Sequence, residues 1–499
     1  MAYLAEITAY DPATSSVVTH RFASGIGYDN AGTFYAPRIE QPALFSRSMN
    51  DGSGGRAGVS LGELTLVNND GALNALASQY FDGRTLTLKW GAQTGSYASF
   101  TTVLVATIES AAFERERVSI RLRDKAVTLD KPFSEVKYAG NNILPAGIEG
   151  TADDLKDQYK PRVLGRIALM QPVCVNTSKL IYQVSNSAVD AIVTVYDAGA
   201  YLSQGPDYSS QADMEANAPG SGIWRAWPAG GCFRLGSTAY GQVSCSVVEK
   251  WAYTSNSAAG LIQRILAEKG YTSSDWVAAD FTALDQLNAG SLGLVITDGE
   301  TIASLIDRIC QSVGAWWGFD ALGRFRVARF DAPSGVSVAT LTDSDIIDIE
   351  RQPESIAPQW RTTLQCDTNF AVQDRKSLAG VVPEDRASWF ERASREQKTE
   401  SAALKTSRLL AEEVTTETSL NGIATALAES ARRQALYAVR RDVVTLTVAN
   451  PDNRYSAIDL GSVVTVTSSV LGYSAGRQLR VTGIGVDHQR STLDLTLWG

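Results

Sequence analysis

The chain has 499 residues, 44% hydrophobic and 20% charged, with 45 Lys and Arg against 54 Asp and Glu for a formal net charge of −9. One hydrophobic core organises roughly 100–200 residues, so this length predicts about three to four domains. The composition excludes a disordered chain, no stretch approaches the ~20 apolar residues that span a bilayer, and the acidic balance opposes the phosphate binding of basic proteins.

The opening Met1-Ala2-Tyr3-Leu4 lacks a basic region followed by an apolar core, so the expectation is synthesis and folding in a cytoplasm, without stable membrane insertion. Ile7 and Ala9, then Val17, Val18, His20 and Phe22, predict a strand and a hairpin before the turn-rich stretch from Gly25 to Gly32. The segment Asn50-Asp51-Gly52-Ser53-Gly54-Gly55 resembles a phosphate cradle. No Gly-Lys-Ser/Thr follows it and strand character comes next, so it reads as a hairpin tip. From Gly62 the pattern sharpens: Leu64 and Leu66, a short helix at Leu73/Leu76, and strands at 86–90, 100–109 and 118–122 that alternate apolar and polar residues. Residues 61–130 thus read as one small antiparallel barrel.

Residues 141–255 predict strands around Leu180–Val184, Ala191–Tyr196 and Gln242–Val248. Between them, Gly199 to Gly222 is rich in Ser, Gly, Asp, Asn and Pro and predicts a long exposed loop. Over 256–335 the period becomes helical, with Leu261, Ile262, Ile265 and Leu266 on one face before Gly270. Ile302, Leu305, Ile306, Ile309 and Val313 form another before Gly314, with Asp298 as the expected N-cap. Ala315 to Val327 predicts a hairpin turning at Asp320–Gly323. Strands near 337–341 and 361–366 are expected to pair with later ones at 443–448, 462–466, 478–481 and 492–498. Residues 459–499 make the clearest part of that second barrel. Between them, Leu404, Leu409, Leu410 and Val414, then Ile423, Leu427, Ala431 and Leu436, predict two helices broken near Thr418–Gly422.

Catalytic chemistry finds little purchase. His20 and His488 are the two histidines, and no Gly-x-Ser-x-Gly elbow accompanies them. A glycan hydrolase needs only two carboxylates; Glu109, Glu114 and Glu116 are examples that a solvated turn explains equally well. The five cysteines, Cys174, Cys232, Cys245, Cys310 and Cys366, are odd in number and form no CxxC pair, against a disulfide framework or common zinc module. Cys174, Cys232 and Cys245 fall in one module and are the candidates for a metal or iron–sulfur cluster, at spacings that match no standard signature; no cofactor is expected. Trp224, Trp227, Tyr240, Trp251, Trp316 and Trp317 suit sugar stacking or packing, and packing in cores and subunit interfaces is the expectation. Trp224, Trp227, Trp316 and Trp317 are the interaction candidates.

Taken in order, four segments resemble the hub proteins at the tip of bacteriophage tails and related injection machines. These are Phe81-Asp82-Gly83-Arg84 with the strand up to Gly91; Lys160-Pro161-Arg162-Val163-Leu164-Gly165 with Leu180–Val184; the helix, Gly314 and hairpin ending Gly323-Arg324-Phe325-Arg326-Val327; and the ending Leu495-Thr496-Leu497-Trp498-Gly499. The resemblance implies a homotrimer whose subunits each contribute two similar barrels, presenting six to a sixfold tail tube. It implies as partners the tail tube or a distal tail ring, tip and fibre proteins and the tape measure protein, with DNA only in transit through an acidic or neutral lumen. The setting implied is the virion tail tip, assembled in the host cytoplasm, and no enzyme segment is evident.

The expected fold is mainly β with α+β and multidomain. It comprises a first hub β-barrel over 1–140, an inserted β-rich domain with the long Ser/Gly loop over 141–255, and a small α+β domain over 256–335. A second hub β-barrel is built from 336–371 and 443–499, around a helical insertion over 372–442. Two other functions fit the same composition: a distal tail or receptor-binding protein contacting cell-surface glycan through the Ser/Gly loop and Trp224/Trp227, and a tail-associated glycan hydrolase.

Overall fold

A computed structural model describes residues 1–49, 54–250, 256–352, 358–487 and 490–499. Strands dominate, gathered into six sheets among the described residues, and none of these closes on itself. The largest two lie at opposite ends of the sequence. The N-terminal one contains Ala2–Asp11, Ile39–Gln41, Glu63–Val67, Thr85–Gly91, Thr101–Phe113 and Arg117–Arg123, extended past its first strand by Ser16–Ala23 and two shorter strands. The C-terminal one contains Ala339–Thr342, Ile346–Gln352, Val443–Ala449, Val463–Thr467, Arg477–Asp487 and Thr492–Trp498.

Counting only the six strands named for each sheet, in chain order, both sets lie in the order first, fourth, fifth, sixth, third, second. The registers coincide as well. Val118 faces Leu66 and Ile120 faces Leu64 in one sheet, as Leu493 faces Val448 and Leu495 faces Leu446 in the other. Each fifth strand bulges at the same place, after Ile108 opposite Leu122 and after Val481 opposite Leu497. Each second strand bulges at the same place too, after Ile39 opposite Leu66 and after Ile346 opposite Val448. A bulge inserts one unpaired residue and bends the strand, so both sheets bend at these matched positions, while the N-terminal sheet carries a further shift between Leu88 and Lys89 that the C-terminal one lacks. The first strands differ in direction: Ala2–Asp11 runs antiparallel to its neighbour, Ala339–Thr342 parallel.

The connections repeat in detail. After each third strand a buried asparagine folds the chain back: Asn68 Oδ1 accepts from Leu73 N at 2.8 Å and Asn450 Oδ1 from Tyr455 N at 3.0 Å. Their backbone amides donate to Glu116 and Ser491 oxygens, both at 2.7 Å, just before each sixth strand. Ahead of each fourth strand stands a left-handed glycine, Gly83 (φ +72°) and Gly461 (φ +83°). Their amides donate to Ile108 and Val481 oxygens, a conformation a side chain would strain. Alternation then buries one face of each sheet: Leu64, Leu66, Leu86, Leu88, Ile108 and Ile120 in the first, and Leu446, Val448, Val464, Val481, Leu495 and Leu497 in the second. Each such side chain contributes about 1.5–3 kcal/mol of burial.

The segment between these sheets contains strands at the expected Ile181–Gln183, Val189–Asp197 and Val243–Glu249. Arg162–Met170 lies between Val243–Glu249 and Gly293–Ile296 in a six-stranded sheet, beside a five-stranded one carrying Ile223–Trp227 and Cys232–Leu235. Helices Ala258–Glu268, Ala278–Leu287 and Ile302–Val313 pack with the hairpin Ala315–Phe319/Phe325–Arg329 around Leu261, Ile265, Leu305 and Trp317. The second of these helices was not expected. Thr301, rather than Asp298, caps the third: its hydroxyl accepts from Ser304 N at 3.2 Å, while Asp298 accepts from Glu300 N. Gly314 ends that helix in the left-handed region as expected. The stretch 199–222 is not a plain loop. Helix Gln211–Ala216 is capped by Ser210 and buries its own Met214, and Tyr208 ahead of it is buried too.

Two expectations near the C-terminus are corrected. Gln359–Cys366 does not join the C-terminal sheet; it is the middle strand of a separate three-stranded sheet between Arg395–Glu400 and Glu412–Glu417. The segment after it is therefore not wholly helical. Its helices are the short 3-10 turn Arg375–Ser377 and the α-helices Glu384–Glu391, Ala402–Ser407 and Ile423–Tyr437. The last of these turns Glu429, Ser430, Arg433 and Gln434 inward and leaves Ile423 and Leu427 exposed. Ion pairs from Arg432 and Arg433 to Glu429 make that polar face buriable. We expect Asn68→Ala and Asn450→Ala each to cost about 1–3 kcal/mol, because each leaves a buried amide without its acceptor; paired urea denaturation curves measure whether the two losses match.

Candidate functional site

The two repeated sheets are fastened together by an exchanged strand. Between the second and third strands of the N-terminal sheet, the chain leaves it. There Phe45–Ser48, with Gly58–Leu61 beside it, pairs antiparallel with Gly483–Val486 of the C-terminal sheet. Met49 N donates to Thr482 O at 2.7 Å, continuing the ladder. Farther along, Gly55 and Arg56 pair with Trp316 and Trp317 of the central hairpin. Asn50, Asp51, Gly52 and Ser53 of the expected hairpin tip lie outside the described residues.

Arg47 holds the crossing. Only 5% exposed, its guanidinium ion-pairs with Asp459 and reaches Phe319 O. Arg326 bonds the other oxygen of Asp459 at 2.9 Å and also pairs with Asp280. Two arginines and two carboxylates from three parts of the chain therefore share one chain of charges. Burial pushes the Arg47 guanidinium down to about 10, which leaves it charged at neutral pH. A cavity of about 270 Å³ opens beside this network, walled by Phe45, Val103, Leu322, Tyr455, Ile458 and Ile484.

The other face of the same strands is a groove of about 620 Å³. Ser46, Ser48, Ser60, Thr447, Asp494 and Thr496 line it, with Gly483 and Gly485 at its floor. It is a hydroxyl-rich surface with one carboxylate. The equivalent face of the N-terminal sheet is charged, with Arg117 paired to Glu40 and Arg121 to Glu109.

The residues singled out by sequence fall mostly elsewhere. Trp224 and Trp317 are fully buried, their indole N–H groups donating to Leu202 O at 3.2 Å and Asp307 Oδ1 at 2.6 Å; Trp316 is buried in the core of the C-terminal sheet. These three serve cores rather than a surface, and Trp227 is half-buried against the core around Tyr138. Tyr240 is fully exposed, and Trp251 lies outside the described residues. Cys232 and Cys245 sit in different cores, and burial raises both thiols, Cys232 to about 12; half-buried Cys174 is raised by burial as well. Such burial disfavours the thiolate a metal requires. Among the described residues no three His, Cys, Asp or Glu side chains gather as a metal site. His20 bonds Gln79 at 2.6 Å, Glu109 is engaged with Arg121, and His488 lies outside the described residues.

Sequence reading missed the exchanged strand and the asparagine pair. A signal for the asparagines was present: Thr65-Leu66-Val67-Asn68-Asn69-Asp70 aligns with Thr447-Val448-Ala449-Asn450-Pro451-Asp452.

No protein-family model and no curated protein matches the chain. Solved structures do. The chain is similar to the 43 kDa tail protein of prophage MuSo2 from Shewanella oneidensis, at 9% identity and a TM-score of 0.43, over 94% of this chain and 95% of that one. It is similar to the tail protein from Neisseria meningitidis MC58, at 11% identity and a TM-score of 0.43, over 100% and 96%. A third is prophage tail protein gp18 from Listeria monocytogenes EGD-e, at 7% identity and a TM-score of 0.32, over 100% and 94%. These three neighbours in structure are tail proteins.

Asp459→Ala leaves Arg47 buried without its carboxylate, whereas Arg47→Met removes the buried charge itself. Loss of one partner of a buried pair costs about 3–5 kcal/mol, toward the lower end here because Asp459 is partly exposed. Urea denaturation is expected to rank Asp459→Ala as the more damaging change.

Proposed function

We propose that this chain is a structural protein of a phage tail tip, a baseplate hub that adapts a sixfold tail tube to a threefold tip. The observation that carries this reading is the duplicated sheet, with its shared strand order, bulges, asparagines and glycines. Three copies of a chain with two equivalent units offer six equivalent surfaces, which is the geometric requirement for meeting a ring of six. Each unit acts as a tube-like barrel whose remaining openings are covered by its neighbours in the ring. The central α+β part, the β-rich insertion and the segment 372–442 then follow threefold symmetry.

The tail tube or a distal tail ring is the partner on one side, tip and fibre proteins on the other, with the tape measure protein within and DNA in transit. The hydroxyl-lined groove supports such a conduit, since the one basic residue on its lining, Arg47, has its guanidinium tied up in the ion pair with Asp459 rather than free to hold phosphate. The protein works as a scaffold in the virion, assembled in the host cytoplasm, and performs no catalysis. Burial of Trp224 removes one of the contacts, beside the Ser/Gly loop and Trp227, on which the glycan-binding alternative rests.

Native mass measurement of the assembled chain tests this reading. Three copies are expected; six would favour a distal tail ring, and a monomer at every concentration would contradict the hub.

A further inference from the structure

The duplication exposes one inequality. In the C-terminal sheet the outward edge of the fifth strand, Gly483–Val486, is covered by Phe45–Ser48. The matched stretch of the N-terminal fifth strand is Ser110–Phe113, and among the described residues nothing pairs with its outward edge. Glu109, Ser110 and Ala112 are exposed there.

The backbone of this edge is set to receive a strand. Glu114 N donates to Arg117 O at 2.9 Å and closes the hairpin to the sixth strand. By the alternation of an antiparallel ladder, Ser110 and Ala112 turn their backbone groups to the sixth strand, while Ala111 and Phe113 turn theirs outward. Ala111 and Phe113 correspond to Ile484 and Val486. Both pairs point side chains at their own cores and lie on the strand edge away from the sixth strand. Small residues, Ser110 and Ala112 against Gly483 and Gly485, occupy the alternate positions of both strands.

We propose that the outward edge of Ser110–Phe113 is an assembly surface that takes a β-strand from a second copy of this chain. The proposal rests on the hub reading and adds the contact that joins its subunits. Within one chain the N-terminal unit lends a strand from between its second and third strands to the C-terminal unit. In a ring of alternating units, the same relation requires each C-terminal unit to lend to the N-terminal unit of the next copy. The segment between the second and third strands of the C-terminal unit has strands to lend. In the sheet built on Gln359–Cys366, Arg395–Glu400 and Glu412–Glu417 are the two outer strands, each with one unpaired edge among the described residues. An open edge of backbone donors and acceptors is otherwise a liability for uncontrolled pairing.

Hydrogen exchange on the assembled full-length chain tests this, with Ile484 and Val486 as the internal standard. The amides of Ala111 and Phe113 are expected to exchange as slowly as that pair, about tenfold or more slower than in the monomer. Ala111→Pro removes an outward N–H and leaves the ladder to the sixth strand intact. It is expected to abolish trimers while the monomer keeps its thermal midpoint. A trimer in which Ala111 and Phe113 exchange as freely as in the monomer overturns this inference and spares the hub. A chain that never assembles overturns both, and protection that appears only when a different tail protein is added overturns the assignment to a second copy.

Discussion

Strand edges must be paired, covered or blunted, and this chain is organised around how it satisfies them. The antiparallel addition of Phe45–Ser48 to Gly483–Val486 is the contact on which the relation between the two ends of the sequence depends. The backbone ladder makes the crossing directional, and Arg47 with Asp459, Arg326 and Asp280 fixes its position with charges that cost much to separate.

Duplication gives this contact its meaning. Equal strand order alone recurs among unrelated β proteins. Two bulges, a buried asparagine and a left-handed glycine at matched positions are a stronger bond, because each is a local departure from regular structure with its own cost. A pair of units that bend at the same positions can take successive places around one axis, whereas units that bend at different ones could not continue one wall. The hydroxyl-lined groove of one unit and the ion-paired face of the other show that this equivalence belongs to backbone geometry more than to surface chemistry.

Much of the local structure was legible in the sequence, and little of the pairing. Period-two alternation marks Leu86/Leu88, Val118/Ile120/Leu122 and Leu493/Leu495/Leu497 as strand residues with one buried face, and helical spacing marks Ile302 to Val313. Alternation does not say which strand lies alongside, so Gln359–Cys366 was assigned to the wrong sheet. Arg395–Glu400 and Glu412–Glu417 are largely polar and carry no apolar alternation. They are strands because Gln359–Cys366 offers each a backbone partner. The tryptophans misled for a related reason, since aromatics serve cores and contact surfaces alike, and the matching Thr-x-x-Asn-x-Asp segments needed the chain compared with itself.

A reconstruction of the assembled tail tip tests the central claim most directly, through the rotation that superposes the N-terminal sheet of one chain on its own C-terminal sheet. Quasi-sixfold placement predicts a turn of about 60° about the channel axis with no shift along it. A different angle, or two units at different heights on the axis, would contradict the account.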